Sequence, residues 1–139
     1  MVTKPINFNR DFAFGEVTFV KPASSEDMEQ GIDAWLGGIP FAWRKRRISV
    51  TKYGEISIRY SRSNNSKTEY AKILDGSFKP QIYLFEFTDA IVICLTTDIY
   101  DRLINRDYIV QSNPDNSTTG CYIKLESIKH LMVKREGLL

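Results

Sequence analysis

Residues that carry redox or metal chemistry are scarce in this chain. Two cysteines, Cys94 and Cys121, and one histidine, His130, stand among 139 residues. Two cysteines are too few for a disulfide scaffold, and they lack zinc-ligand spacing. A single histidine near the end of the sequence argues against a His-based triad and a His-rich metal site. Its plain reading is a surface or packing residue. No glycine-rich phosphate loop and no GxGxxG motif occur. Long hydrophobic runs are absent too. The longest uncharged apolar stretch is Ala90 to Leu95, far short of the roughly 20 residues of a membrane helix, so no membrane partner is expected. The opening stretch MVTKPINFNRDFAFGE has no apolar core of a secretory signal. A reduced, cytoplasmic setting is therefore the expectation. No repeat, low-complexity tract or linker divides the sequence, which reads as one domain over residues 1–139.

What is present is a globular composition. Hydrophobic residues make up 42% and charged residues 26%, and eight Phe, seven Tyr and two Trp supply aromatic bulk for a core. A disordered chain is excluded. The net charge of +2 conceals an asymmetry. Between Ala42 and Arg62 seven bases (Arg44, Lys45, Arg46, Arg47, Lys52, Arg59, Arg62) face one acid, Glu55. That segment carries +6 and the remainder −4. Positive charge confined to one stretch points to an anionic partner, with nucleic acid first. The plain alternative is a solvated basic hairpin.

Periodicity outlines the elements. Phe12, Gly15 and Phe19 fall on one helical face and predict a helix from Asn9 to Phe19, ended by Pro22. GIDAWLGGIPFAWRKRRISV reads as a β-hairpin turning at Gly37-Gly38. That turn pairs Leu36 with Ile39, Trp35 with Pro40 and Ala34 with Phe41. Asp33 then lies opposite Ala42, on the face that also carries Arg44. A reversal at TKYG leads to EISIRYSR, whose clean alternation predicts a third strand of an antiparallel meander. Ser66 and Glu69 form a capping-box pattern before a helix that stops at Gly76. QIYLFEF and AIVICL read as strands, the second buried on both faces. Thr97 or Asp98 caps a helix through IYDRLIN, the stretch from Asp107 to Gly120 reads as a loop with a short extended piece, and CYIKLESIKHLMVKR supplies a last strand and a short terminal helix. The order is α, β, β, β, α, β, β, α and a β-α tail. This is an α/β or α+β domain with a mixed sheet flanked by helices.

Asp33 is the most informative single residue. A carboxylate inside an apolar strand costs free energy unless it is paired or binds a cation. Either a salt bridge to Arg44 or a metal ion would satisfy it. Trp35 reads as core. Trp43, among bases, reads as core or as a stacking surface for a nucleobase. Lys72 follows Glu69 by one turn and has a neighbour to pair with.

The arrangement resembles the restriction-endonuclease-like (PD-(D/E)XK) nuclease superfamily. In that family a helix carrying Glu precedes a strand with Asp, a hairpin and a strand with Glu-x-Lys, and a helix and further strands follow. Here the leading helix holds Glu16, and Gly31-Ile32-Asp33 holds the Asp. TEYAKILDGSFKPQIYLFEF reads like the supporting helix and next strand. AIVICLTTDIYDRLI and GCYIKLESIKHL read like the later elements. The likeness spans about Arg10 to Leu131. It implies an αβββαβ core and Mg²⁺ or Mn²⁺ held by Asp33 and Glu16. It also implies phosphodiester hydrolysis of DNA with Arg44 or Lys45 in the lysine's role, and a homodimer. Phosphate contacts fall to Arg44, Lys45, Arg46, Arg47, Arg59 and Arg62. The sequence departs from the family at the Glu-x-Lys position, which here is Ala42-Trp43-Arg44. Two outcomes follow. Glu29, Glu55 or Glu69 replaces the missing acid, or the fold has become a module that binds nucleic acid or a protein partner without cutting.

Overall fold

A computed structural model describes residues 2–9, 12–19, 24, 30–36, 38–62, 67–112 and 118–134. The side chains of the first two strands, of Leu36 and of Arg62 lie outside that description, as do Pro22, Glu29 and Ser66. The described residues form an α+β arrangement with a mixed sheet. None of its helices is long and apolar enough to cross a membrane.

The chain opens with β1 (Val2–Asn9) and β2 (Phe12–Phe19), an antiparallel pair. β2 replaces the expected leading helix. Its apolar positions also satisfy a period of two, Phe12 with Phe14 and Val17 with Phe19. A register irregularity between Ile6 and Asn7 skips Phe14 and shifts the frame between those halves. Phe12, Gly15 and Phe19 fit a helical spacing in sequence as well, so the pattern by itself does not separate the two. Aromatic and β-branched residues favour the strand.

β3 (Ala34–Leu36) and β4 (Ile39–Lys45) form the predicted hairpin, in the predicted register. Gly38 supplies the positive φ, +83°, that its turn requires. After β4 the chain leaves the sheet. α1 (Val50–Tyr53) is a single turn whose N-terminus is held by a distant carboxylate. Asp89 accepts from Ser49 Oγ at 2.7 Å, from Val50 N at 3.0 Å and from Thr51 N at 3.2 Å. Those bonds hold its carboxyl well below the usual range, against the opposing effect of burial. β5 (Glu55–Arg62) does not join the meander. It pairs with β9 (Thr118–Lys124), which in turn pairs with β8 (Ile109–Ser112) in a separate antiparallel sheet. The short extended piece expected between Asp107 and Gly120 is β8, and the end of that stretch, from Thr118, already belongs to β9.

α2 (Glu69–Asp75) matches the expected helix and ends at Gly76. Its cap is Thr68, whose Oγ1 accepts from Ala71 N at 3.5 Å, rather than the predicted Ser66. β6 (Ile82–Glu86) and β7 (Ala90–Leu95) follow as predicted, then α3 (Thr96–Ile104). Leu95 stands at the N-cap of α3 without a side-chain cap bond, so neither Thr97 nor Asp98 serves there. The predicted terminal helix is absent from the described residues. After a 3₁₀ turn at Leu125–Ser127 the chain forms β10 (His130–Lys134).

The seven-stranded sheet runs β1-β2-β3-β4-β6-β7-β10. β4 and β6 are parallel, and its other neighbours are antiparallel. One face carries the main core, where Ala42, Tyr83, Phe85, Phe87 and Val92 meet Ile56, Ile58, Cys121 and Ile123 of the small sheet and Ile73, Ile99 and Leu103 of the helices. The opposite face carries a smaller cluster of Ala34, Phe41, Leu84 and Ile91, with Trp43, Ile82 and Ile93 packed against it. A sheet covered on both faces needs apolar side chains at successive positions, which Tyr83-Leu84-Phe85 and Ala90-Ile91-Val92 provide.

Candidate functional site

The period of two along β4 sorts the basic run. Positions 42, 44 and 46 turn toward the main core; positions 41, 43 and 45 turn to the other face. Arg44 therefore emerges on the core side, beside the residue that the hairpin register set opposite it. Its Nη1 donates to Asp33 Oδ2 at 2.5 Å. The same carboxylate oxygen accepts from Trp43 N at 2.8 Å. Asp33 thus caps the open end of the hairpin and neutralises the arginine at once.

The second partner comes from far along the chain. Glu69, first residue of α2, accepts from Arg44 Nε at 3.2 Å through Oε1 and from the Tyr83 hydroxyl at 2.5 Å through Oε2. A carboxylate in the first turn of a helix also sits favourably in the helix dipole. The guanidinium lies 5.8 Å from the Tyr83 ring centre. Beneath it an aromatic row running through β6 and its flanks is stacked: Phe78 on Tyr83 at 5.4 Å, Tyr83 on Phe85 at 5.1 Å, Phe85 on Phe87 at 6.2 Å. Arg46 continues along this row. It lies 5.7 Å from the Phe85 ring and donates from Nη2 to the Ser57 carbonyl at 2.8 Å, tying β5 to the end of β4. Its Nε is buried without a hydrogen-bond partner among the described residues.

Electrostatics follow from that geometry. Burial works against the charged form of Arg44, but Glu69, Tyr83 and Asp33 reverse the effect and hold it protonated above its ordinary range. Burial lowers Arg46, which has weaker compensation. Burial would raise Glu69; the charge of Arg44 and the hydrogen bond from Tyr83 more than reverse this, so it stays ionised below the usual range. Tyr83 is pushed well above its ordinary value by burial and by Glu69. Two carboxylates and two guanidiniums share the site, so its formal charge is zero.

The expected metal centre does not fit this donor set. Asp33 Oδ2 is engaged by Trp43 N and Arg44, and both oxygens of Glu69 are engaged by Arg44 and Tyr83. A divalent cation would have to displace the arginine. Glu16 stands on a strand, with its backbone opposite Pro5. The β2–β3 pairing closes three residues further on, with Phe19 opposite Ala34, the neighbour of Asp33. Among the described residues no group of three or more His, Cys, Asp or Glu side chains converges on a common point. Glu55 is paired in register with Lys124 in the small sheet, away from Asp33.

The other bases divide differently. Lys45, Arg47, Lys52 and Arg59 are exposed. The first three cluster in sequence around the end of β4 and α1, the corner that Asp89 braces. Lys52 Nζ lies 5.4 Å from the Tyr53 ring. Arg59 projects from β5 at the level of Gly120, and Arg62 ends that strand opposite Thr118. Trp43 packs beside Phe41 at 6.3 Å on the second core face, so its ring belongs to packing. Trp35 is half-buried on β3. The two thiols are inert: burial, together with Asp98, pushes Cys94 up to about 12, and burial pushes Cys121 up to about 12. His130 Nδ1 lies 3.0 Å from the Ile128 carbonyl.

Sequence reasoning missed Tyr83 and read Glu69 first as a capping residue. A tyrosine in a strand otherwise buried on both faces needs a partner for its hydroxyl. That requirement was the available signal. No family model, no curated protein and no solved structure matches this chain.

Proposed function

We propose that this protein is a nucleic-acid-binding module with a nuclease-like strand-hairpin-helix-strand core, and that it binds without hydrolysing. The observation that carries this reading is the position of Arg44. Its guanidinium bridges Asp33 and Glu69, so a cation of the protein itself is held between the two acids. The β3-β4 hairpin, α2 and β6 parallel to β4 support the likeness of architecture; the strand at β2, where the likeness has a helix, and β5 in the separate sheet depart from it. Phosphate contacts in this reading come from Lys45, Arg47 and Lys52, with Arg59 at the periphery. Arg44 and Arg46 serve the fold instead. The reading places the protein in the cytoplasm, with DNA as the first partner to test.

The test is fluorescence anisotropy with labelled duplex DNA and RNA over a range of salt. Binding should weaken as salt rises, with a log–log slope of about −0.9 per phosphate neutralised on DNA. Replacing Lys45, Arg47 and Lys52 by alanine together should weaken binding and flatten that slope. A salt-independent affinity, or one untouched by the triple replacement, would remove the reading. Incubation of supercoiled DNA with Mg²⁺ or Mn²⁺ should leave it uncut. Cleavage by the wild type and not by Asp33→Ala would instead establish the nuclease, with Arg44 displaced by metal.

A further inference from the structure

The four sheet edges are not protected equally. β1, one edge of the large sheet, contains Pro5 and two register irregularities. β5, one edge of the small sheet, carries an irregularity between Arg59 and Ser61 and ends on charged residues. Proline, bulges and charge are the usual means of keeping an edge from pairing with another chain. β8 has exposed Ile109 and Val110 but ends on Gln111 and Ser112. β10, the other edge of the large sheet, carries charge only at its end, on Lys134, and has neither proline nor bulge. Its five residues pair with β7 in unbroken register. Its centre is Leu131-Met132-Val133. Leu131 is 68% exposed and Met132 38%. Leu95, 51% exposed, lies diagonally across from Leu131 on the same face of β7. No described strand pairs with the outer side of β10.

We propose that β10 is a homodimer interface, pairing antiparallel with β10 of a second copy about a two-fold axis at Met132. The sequence His-Leu-Met-Val-Lys has the same character read in either direction, polar at both ends and apolar in the middle. Antiparallel self-pairing therefore matches apolar to apolar on each face. Leu131 meets the partner subunit's Val133, and Met132 meets the partner subunit's Met132. At the ends His130 meets the partner subunit's Lys134. His130 Nδ1 itself lies 3.0 Å from the Ile128 carbonyl. The pairing joins two seven-stranded sheets into one continuous sheet. It rests on the exposed edge alone and stands whether or not the protein binds nucleic acid.

Sedimentation of the full chain across a wide concentration range tests this. The wild type should show twice the monomer mass. Leu131→Glu should be monomeric, and so should Val133→Lys. Combining them should restore the dimer, because the two-fold axis sets each glutamate opposite a lysine. Circular dichroism should show the same fold for all four proteins. Amide exchange of residues 130–134 in the wild type, which needs no substitution, should slow as concentration rises. A wild type that stays monomeric, a Leu131→Glu variant that stays dimeric, a combined variant that stays monomeric, or exchange that ignores concentration would each overturn the interface.

Discussion

Arg44 and Arg46 on one side of β4, and Lys45 and Arg47 that follow them in turn, are chemically alike and adjacent, yet they live in different surroundings. The first pair lies over the stacked rings of Tyr83 and Phe85 and is held by Asp33, Glu69 and the Ser57 carbonyl. The second pair is exposed. A run of bases is therefore not a patch until its periodicity is known. In a strand, alternate members belong to opposite faces. Half of this run's charge is consumed by the fold, and the remainder is what a partner can meet.

The difference is broken most severely at Arg44. Its side chain is 19% exposed, with Asp33 at 26% and Glu69 at 15%. Arg44→Ala leaves two carboxylates facing each other in a largely dry site. The expected loss is about 3 kcal/mol in urea unfolding. A loss under about 1 kcal/mol would place the cluster among ordinary surface ion pairs. A double-mutant cycle with Asp33→Ala should show coupling of about 1 kcal/mol or more without any metal. Zero coupling would sever the pair. Arg46→Met keeps packing against Phe85 and removes the bond to Ser57, so its cost should be smaller, about 1 kcal/mol. An equal cost for the two arginines would erase the distinction between a bridging and a merely packed guanidinium.

Acid titration sharpens the same contrast. Burial pushes Glu69 up, and Arg44 with Tyr83 more than reverses it, so its folded pKa is depressed. Its stabilisation is present above the ordinary glutamate value of about 4.3 and is lost as pH falls through the depressed one. Glu69→Gln should therefore lower the melting temperature near neutral pH and shrink the fall in melting temperature below that value. Asp89, depressed by its bonds to Ser49, Val50 and Thr51, should keep the remainder of the acid loss. An unchanged acid limb in Glu69→Gln would mean that Arg44 does not stabilise the ionised carboxylate.

Local signals were readable where the physics is local. The Gly37-Gly38 turn set the β3–β4 register, and that register alone placed Asp33 beside Arg44. Gly76 marked the end of α2. The apolar strands β6 and β7 were legible from composition. The failures lie where a distant partner decides or the pattern fits two periods. Phe12, Gly15 and Phe19 in β2 fit a helical spacing as well. Asp89, some forty positions on, braces the turn at α1, and β5 after it finds its partner in β9, more than fifty residues further on. Glu69 and Tyr83 reach Arg44 only because α2 and β6 pack against β4. The short apolar stretch of β10 carries no period long enough to separate strand from helix, and its pairing with β7 decides.

The smallest effect on stability is expected from the outward bases, and it is the one that separates fold from function. Lys45, Arg47 and Lys52 are exposed, and no described carboxylate lies within ion-pair distance of them. Alanine at any one of these positions should change unfolding free energy by less than about 0.5 kcal/mol. If these residues meet phosphates, each replacement should nevertheless weaken binding and reduce the salt slope by about one contact. Arg44→Lys should do the reverse. A lysine keeps the charge but cannot span Asp33 and Glu69 with a planar fork, so stability should fall while the salt slope stays put. A salt slope that follows Arg44 and ignores Lys45 and Arg47 would invert the division of β4, making the buried cluster the contact with nucleic acid and the exposed run mere solvation.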